Sequence, residues 1–100
     1  MKKRAVVRDA AYVAENVGVL LPKMESIKLN LGMVPLYSNG NLDPAYKKTF
    51  ESVSEDVSIL RGIVQYGSAY KVKIIDDMSR RLISYMSDLG HFQSVHSKKR

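Results

Sequence analysis

The stretch between Asp43 and Gly90 constrains the fold most, because it contains no proline after Pro44 and spaces its apolar residues as a helix does. Asp43 is a good N-cap, and proline is tolerated at the first helical position because its missing N–H has no partner there. Apolar residues then recur at alternating steps of four and three, which place them on one helix face. They are Tyr46, Phe50, Val53, Val57, Leu60 and Val64.

The register of that helix fails at Gly67 and Lys71. It resumes out of step with Ile75, Met78, Leu82, Tyr85 and Leu89. We therefore predict one helix over about 44–66, a bend or short turn at Gly67-Ser68, and another helix over about 69–89 that Gly90 closes. Residues 91–100 are then a frayed basic tail. A single kinked helix is the alternative for this half of the chain.

A second set of apolar residues has the same spacing near the start of the chain and predicts a helix over about 9–31, ended by Gly32. Its members are Val13, Val17, Leu20, Met24, Ile27 and Leu31. Pro22 lies inside this helix, where it removes a hydrogen bond at a cost of about 3 kcal/mol, so we expect a kink or break near Val19 to Leu21. Residues 32–42 form a loop, because Ser38-Asn39-Gly40-Asn41 tolerates positive φ.

The two apolar sets predict a single all-α domain, either a helical hairpin or a three-helix bundle with long helices. The chain has 100 residues, 45% of them hydrophobic, which suffices for one core. Because elongated helices at this length often complete their burial by pairing, we expect a homodimer or other homo-oligomer whose core or interface the two sets form. The absence of cysteine excludes disulfides, thiol nucleophiles and cysteine-bound metals.

The sequence does not predict an enzyme, a metal site or a cofactor. His91 and His96 lie near Asp88 and Ser94, but an i,i+5 histidine pair does not have the i,i+4 spacing of helical zinc ligands. The neighbouring carboxylates of Glu51 and Glu55 lack an accompanying Glu-x-x-His motif and indicate a solvated helix face. No glycine-rich phosphate loop follows a strand.

Membrane and export signals are also not predicted. Arg8, Asp9 and Glu15 interrupt the apolar run that would have to follow the basic residues Lys2, Lys3 and Arg4 in a signal peptide. The uncharged runs are too short, or too rich in Pro, Gly and Asn, to span a hydrocarbon core of ~30 Å. We expect an intracellular protein, in the cytoplasm, without a transmembrane segment.

The distribution of charge favours a polyanion as partner. The net charge is +6, and residues 61–100 hold eight basic against three acidic residues. Basic side chains that neutralise phosphates release counterions, which gives salt-sensitive binding without sequence preference. We therefore predict binding to duplex RNA or DNA through an ordered set and a flexible set of basic residues. The ordered set is Arg61, Lys71, Lys73, Arg80 and Arg81, and the flexible set is Lys2, Lys3, Arg4, Lys98, Lys99 and Arg100.

The same residues also permit a different interpretation. Helical i,i+4 spacing pairs Lys73 and Arg81 with Asp77, and Arg80 with Asp76, and such pairs neutralise one another on an ordinary solvated face. The alternative function is therefore a protein-interaction subunit, or a self-assembling helical subunit, whose apolar faces are completed by another chain.

Two resemblances accompany these alternatives. Leu21-Pro22 followed by Gly32-Met33, with a basic second half, resembles the dimeric helical silencing suppressors of nodaviruses, which implies binding of double-stranded RNA on a helical face. Asp43-Pro44 leading to Lys73-Ile74-Ile75-Asp76-Asp77 is similar to the second helix of type III secretion needle subunits, which implies polymerisation.

Overall fold

The computed structural model describes residues 10–66 and 72–98. Three long helices pack against one another, so the predicted all-α class is confirmed and, of the two predicted architectures, the chain adopts the three-helix bundle. A small antiparallel hairpin joins the first two helices. In chain order the elements are α1 (Ala10–Gly32), β1 (Tyr37–Ser38), β2 (Asn41–Leu42), α2 (Pro44–Tyr66) and α3 (Val72–Lys98).

Hydrogen bonds between helices fix their directions. The Tyr12 hydroxyl, near the start of α1, donates to Asp76 near the start of α3 at 2.8 Å, so α1 and α3 run parallel. Thr49, near the start of α2, donates to Asp88 in the second half of α3, so α2 and α3 run antiparallel. α1 packs extensively against both other helices, whereas α2 and α3 make far less contact with each other. α1 is therefore the central helix of the bundle.

The core contains all of the apolar set predicted on α1 and most of the set predicted on α2. All six apolar positions predicted on α1 are buried, and on α2 Tyr46, Val53, Val57 and Leu60 are buried as well. The predicted set departs from the structure at two α2 positions: Phe50 is half-buried, and Val64 is 62% exposed while its neighbour Ile63 is buried. A strict four-three alternation drifts relative to a 3.6-residue turn, which explains why the buried position in the last turn is 63.

Pro22 does not break α1, which is continuous from Ala10 to Gly32. Pro22 and Gly18, the residue whose carbonyl loses its hydrogen-bond donor, both lie on the exposed side of the helix, where water replaces the lost bond. The buried apolar residues on either side of Pro22 pack against α2 and α3 and hold the two halves in one helix.

The loop between α1 and α2 is more ordered than the sequence predicted. Tyr37 pairs with Leu42 and Ser38 with Asn41, which leaves Asn39-Gly40 as a two-residue turn. Both turn residues have positive φ, 56° and 83°, as a type I′ turn requires. Asp43 then caps α2, because its Oδ1 accepts hydrogen bonds from the backbone N–H groups of Ala45 and Tyr46.

Gly40→Ala is expected to destabilise the protein by about 1 kcal/mol, because a residue with a Cβ is strained at a φ of 83° although the space around it is open. Gly90→Ala is the matched control: Gly90 lies inside α3, its added Cβ meets nothing within 4 Å, and alanine should stabilise the helix by about 0.5–1 kcal/mol. Thermal melts followed by circular dichroism measure both. Equal melting temperatures for the two variants would contradict the turn geometry.

The predicted tail is wrong over most of its length, because α3 continues through Gly90 to Lys98. Phe92 lies seven residues, about two turns, after the buried Tyr85 and is itself buried. Its ring meets the edge of Tyr46 with centroids 5.5 Å apart. This contact with the start of α2 anchors the last turns of α3 and outweighs the cost of a glycine in a helix.

Some predictions fall outside the described residues. They are the bend at Gly67-Ser68, the start of the last helix before Val72, and the chain ends over 1–9 and 99–100.

Candidate functional site

Five of the eleven predicted polyanion contacts lie in the described ranges: Arg61, Lys73, Arg80, Arg81 and Lys98. The first four each form an ion pair with a carboxylate of this chain. The remaining six lie outside the described residues and are Lys2, Lys3, Arg4, Lys71, Lys99 and Arg100.

The exposed basic residues pair within and between helices. Arg61 of α2 donates to Glu25 of α1, with the Nη2–Oε2 distance at 2.7 Å, and so links these two helices. Lys73 and Arg80 both bind Asp77 on α3. Desolvation acts to raise the pKa of the Asp77 carboxyl, but the hydrogen bonds and charges of Lys73 and Arg80 together hold that pKa below its ordinary value. Three of the predicted polyanion contacts, Arg61, Lys73 and Arg80, are thus already paired with carboxylates of this chain.

The predicted pairing pattern on α3 holds at one pair and fails at two. Lys73 and Asp77 pair as predicted, with Nζ and Oδ2 3.4 Å apart. Asp77 takes Arg80 as its second partner, at i,i+3, and Asp76 accepts the hydroxyl of Tyr12. Arg81 turns to α2 instead, because a buried carboxylate there gives it a stronger partner than a solvated one on its own helix.

That buried carboxylate belongs to Asp56, which is 3% exposed. Arg81 binds it in a fork: Nη2 donates to Oδ1 and Nε to Oδ2, both at 2.9 Å. The Tyr85 hydroxyl donates to the same Oδ2 at 2.6 Å, and the Ser52 hydroxyl, 2.6 Å from that of Tyr85, completes the chain. Since the Tyr85 proton points to Asp56, Ser52 is the donor to Tyr85.

The cluster joins α2 to α3 by hydrogen bonds. Burial, followed by the hydrogen bond to Asp56, raises the pKa of Tyr85, and the hydrogen bond to Asp56 also raises the pKa of Arg81. Both oxygens of the Asp56 carboxylate accept hydrogen bonds, Oδ1 from Arg81 and Oδ2 from Arg81 and Tyr85. Together with the bond from Thr49 to Asp88, the cluster fixes the register of α3 on α2, where apolar contact is sparse.

A surface of different character lies along α1 and α3. Val19 of α1 is 51% exposed, and Ile83 and Met86 of α3 are 71% and 57% exposed. Pro22 is also exposed and lines one shallow cavity of about 360 Å³ together with Met86. We call these four residues, Val19, Pro22, Ile83 and Met86, the α1–α3 face.

The members of this face are neighbours in space. Tyr12 and Asp76, which are hydrogen-bonded, are separated by 64 residues, and so are Pro22 and Met86, which line the same cavity. Because α1 and α3 run parallel with the same rise per residue, each residue of α1 lies level with the residue 64 positions later. Val19 and Ile83 each follow the hydrogen-bonded Tyr12 and Asp76 by seven residues, about two turns, so they are level and lie on the same sides of their helices as that pair.

The charge on α1 is sparse and placed at the edges of that face. α1 has four charged residues among its 23, and at positions 11–32 only Glu15 and Lys23 are both charged and exposed. Neither forms an ion pair with any other residue in the described part of the chain. Glu15, Val19 and Lys23 follow one another at steps of four and so form one row along the helix.

A second hollow, of about 440 Å³, lies between α1 and α2. Leu29, Met33 and Phe50 supply its apolar wall, and the ion pair of Arg61 with Glu25 lies at its margin. Leu29 and Met33 are 69% and 67% exposed, so the outer side of α1 stays apolar towards its end.

Within residues 10–66 and 72–98, no group of three or more metal-binding side chains is clustered. His91 and His96 both lie on α3, and the ring of His91 meets the edge of Phe92 at 5.7 Å. None of the described helices is long and apolar enough to cross a membrane.

Comparisons with known protein families, curated proteins and solved structures find no match for this chain.

The α1–α3 face was missed in the sequence, although a signal was present. α1 has apolar or small residues on nearly all sides, which is typical of a helix covered all round. The apolar residues Ile83 and Met86 lie outside the predicted core set of α3, and their contiguity with Val19 follows only from the parallel packing of the two helices.

Proposed function

We propose that this chain is a non-enzymatic protein-interaction subunit that docks through the α1–α3 face. The partner contributes an apolar helical surface that carries a basic group opposite Glu15 and an acidic group opposite Lys23. The observation that supports this proposal most is the exposure of Val19, Ile83 and Met86, each more than half exposed, on the adjoining sides of two parallel helices, where Met86 and Pro22 line one cavity. Exposed large apolar residues are unremarkable when scattered, whereas a contiguous patch rimmed by polar residues marks an interaction site.

The character of α1 supports the same proposal. A helix at the edge of a bundle normally shows an apolar side and a charged side. α1 instead presents Val19, Pro22 and Leu29 to solvent, and its two exposed charged residues are of opposite sign. A partner that covers this side makes α1 a helix buried on all sides, as its composition indicates.

The proposal is tested by the size of the complex that a tagged chain forms in an extract of the cells that produce it. We expect the chain to elute from a gel-filtration column well above its monomer mass, with or without nuclease treatment. Ile83→Asp should move it to the monomer position, because a carboxylate in an apolar contact costs several kcal/mol.

Val64→Asp is the matched control, since Val64 is an aliphatic residue of similar exposure on the other outer helix, α2. It should elute like the unaltered chain. Elution of the unaltered chain as a monomer would overturn the proposal. So would a large complex that nuclease removes and that the Ile83→Asp variant still forms.

Nucleic-acid binding is the second candidate, favoured by the net charge of +6. Its ordered contacts would come from Lys73, Arg80 and Arg61, which would have to leave Asp77 and Glu25 to reach phosphates. Electrophoretic shift of a mixed-sequence duplex at ~50 mM salt tests it. A logarithm of the association constant that falls against log salt with a slope of about 0.9 for each phosphate contact supports this candidate. The absence of any shift eliminates it.

A further inference from the structure

We infer that the partner at the α1–α3 face is a second copy of this chain, bound antiparallel about a two-fold axis that passes beside Val19. This inference rests on the proposed function and specifies its partner. A two-fold interface is isologous: if residue i of one copy meets residue j of the other, then j of the first also meets i of the second. A surface that pairs with itself must therefore carry complementary groups at equal distances from the axis.

The two exposed charges of α1 meet that condition. Glu15 and Lys23 have opposite signs and lie in one row, four residues before and four residues after Val19. When two α1 helices cross antiparallel at Val19, the Glu15 of each copy faces Lys23 of the other. One sequence thus supplies two identical ion pairs across the axis. A parallel pair would place Glu15 against Glu15 and Lys23 against Lys23, which opposes that arrangement.

Two of the apolar residues of the face lie at the level of the proposed axis. Val19 is level with Ile83 by the 64-residue relation between α1 and α3, and Pro22 with Met86 lies one turn further along. The midpoint of Glu15 and Lys23 is thus level with Val19 and Ile83, the pair of the α1–α3 face nearer the start of the helices. In the antiparallel pair, Val19 and Ile83 form the apolar centre and the two ion pairs form the rim, which is the usual arrangement of a protein interface.

The surrounding charges fit this arrangement. On the α3 side, Arg80 is held by Asp77 on its own helix, and Asp76 by Tyr12 of α1. On the α2 side, Glu25 is held by Arg61. Arg80 and Glu25 are therefore paired within one copy, whereas Glu15 and Lys23 have no ion-pair partner in the described part of the chain.

Charge exchange gives a direct test by analytical ultracentrifugation of the purified full chain at ~50 mM salt. The unaltered protein should form a dimer. Glu15→Lys and Lys23→Glu should each raise the dissociation constant at least about tenfold, because each places two pairs of like charges across the axis. An equimolar mixture of the two single variants should recover the dimer, since the heterodimer again has opposite charges at both pairs. The double variant E15K/K23E should dimerise like the unaltered chain.

Both positions are exposed, so circular dichroism should show unchanged helicity for every variant. Raising the salt to ~0.5 M should shrink the differences among the variants, because screening weakens exposed charge pairs. An unaltered chain that remains a monomer at ~1 mM would overturn the inference. So would a mixture that dimerises no better than either single variant. If the purified chain is a monomer while Ile83→Asp still removes the large complex in cell extract, the partner is a different molecule. The inference of a second copy is then wrong, and the proposed function stands.

Discussion

Leu60→Asp is expected to unfold the protein. Leu60 has no exposed surface and lies in the core between α2 and α1. A carboxylate placed there costs several kcal/mol, which is comparable to the total of about 5–15 kcal/mol that stabilises a domain. Leu20→Asp, at a buried position of α1 that is 4% exposed, should have the same effect. Far-ultraviolet circular dichroism should show loss of most of the helical signal for both variants at 25 °C.

Val64→Asp provides the control for this prediction, because it lies one turn after Leu60 on the same helix and is 62% exposed. It should keep its helical signal and melt within about 1 kcal/mol of the unaltered protein. Retained helicity in Leu60→Asp, or unfolding of all three variants alike, would show that the buried side of α2 differs from the structure described above.

Arg81→Ala is expected to destabilise the protein by about 3 kcal/mol, as measured by urea unfolding. The change leaves the buried carboxylate of Asp56 without its cation, and removing one partner of a buried pair costs about 3–5 kcal/mol. We take the lower end because the side chain of Arg81 is 40% exposed.

Two further variants separate this effect from loss of packing. Asp56→Asn in the Arg81→Ala background should recover part of the stability, because a neutral amide tolerates burial better than an unpaired carboxylate. Arg80→Ala, which removes only an exposed pair with Asp77, should cost less than about 1 kcal/mol. Equal losses for Arg80→Ala and Arg81→Ala would contradict a structural role for the Asp56 cluster.

Helical periodicity predicted the core of α1 because all six of its apolar positions face the two other helices. It was less accurate where tertiary contacts override local signals. Gly90 is a helix-stop residue by itself, but Phe92 two positions later packs on Tyr46, and this distant contact extends α3 to Lys98. Pro22 similarly indicated a break that the packing on both sides prevents.

The candidate site was harder to predict, because it depends on which helices are neighbours. The sequence identified Arg81 as basic and close to Asp77, yet its partner Asp56 is 25 residues away on another helix. The α1–α3 face likewise combines Val19 with Ile83, which lie 64 positions apart, and the sequence between them carries no local signal of contact. Periodicity identifies which side of each helix is buried, whereas the relative placement of helices decides which exposed residues become a common surface.

Carbene footprinting of the chain tests the central claim, that the α1–α3 face is covered by a partner, most directly. The labelling of Val19, Ile83 and Met86 is compared between the dilute purified chain and the chain in extract of its own cells, with Leu42 and Val64 as internal references. We expect the three residues of the face to lose most of their labelling in the extract while the references keep theirs. Equal labelling of Val19, Ile83 and Met86 under both conditions would contradict the account.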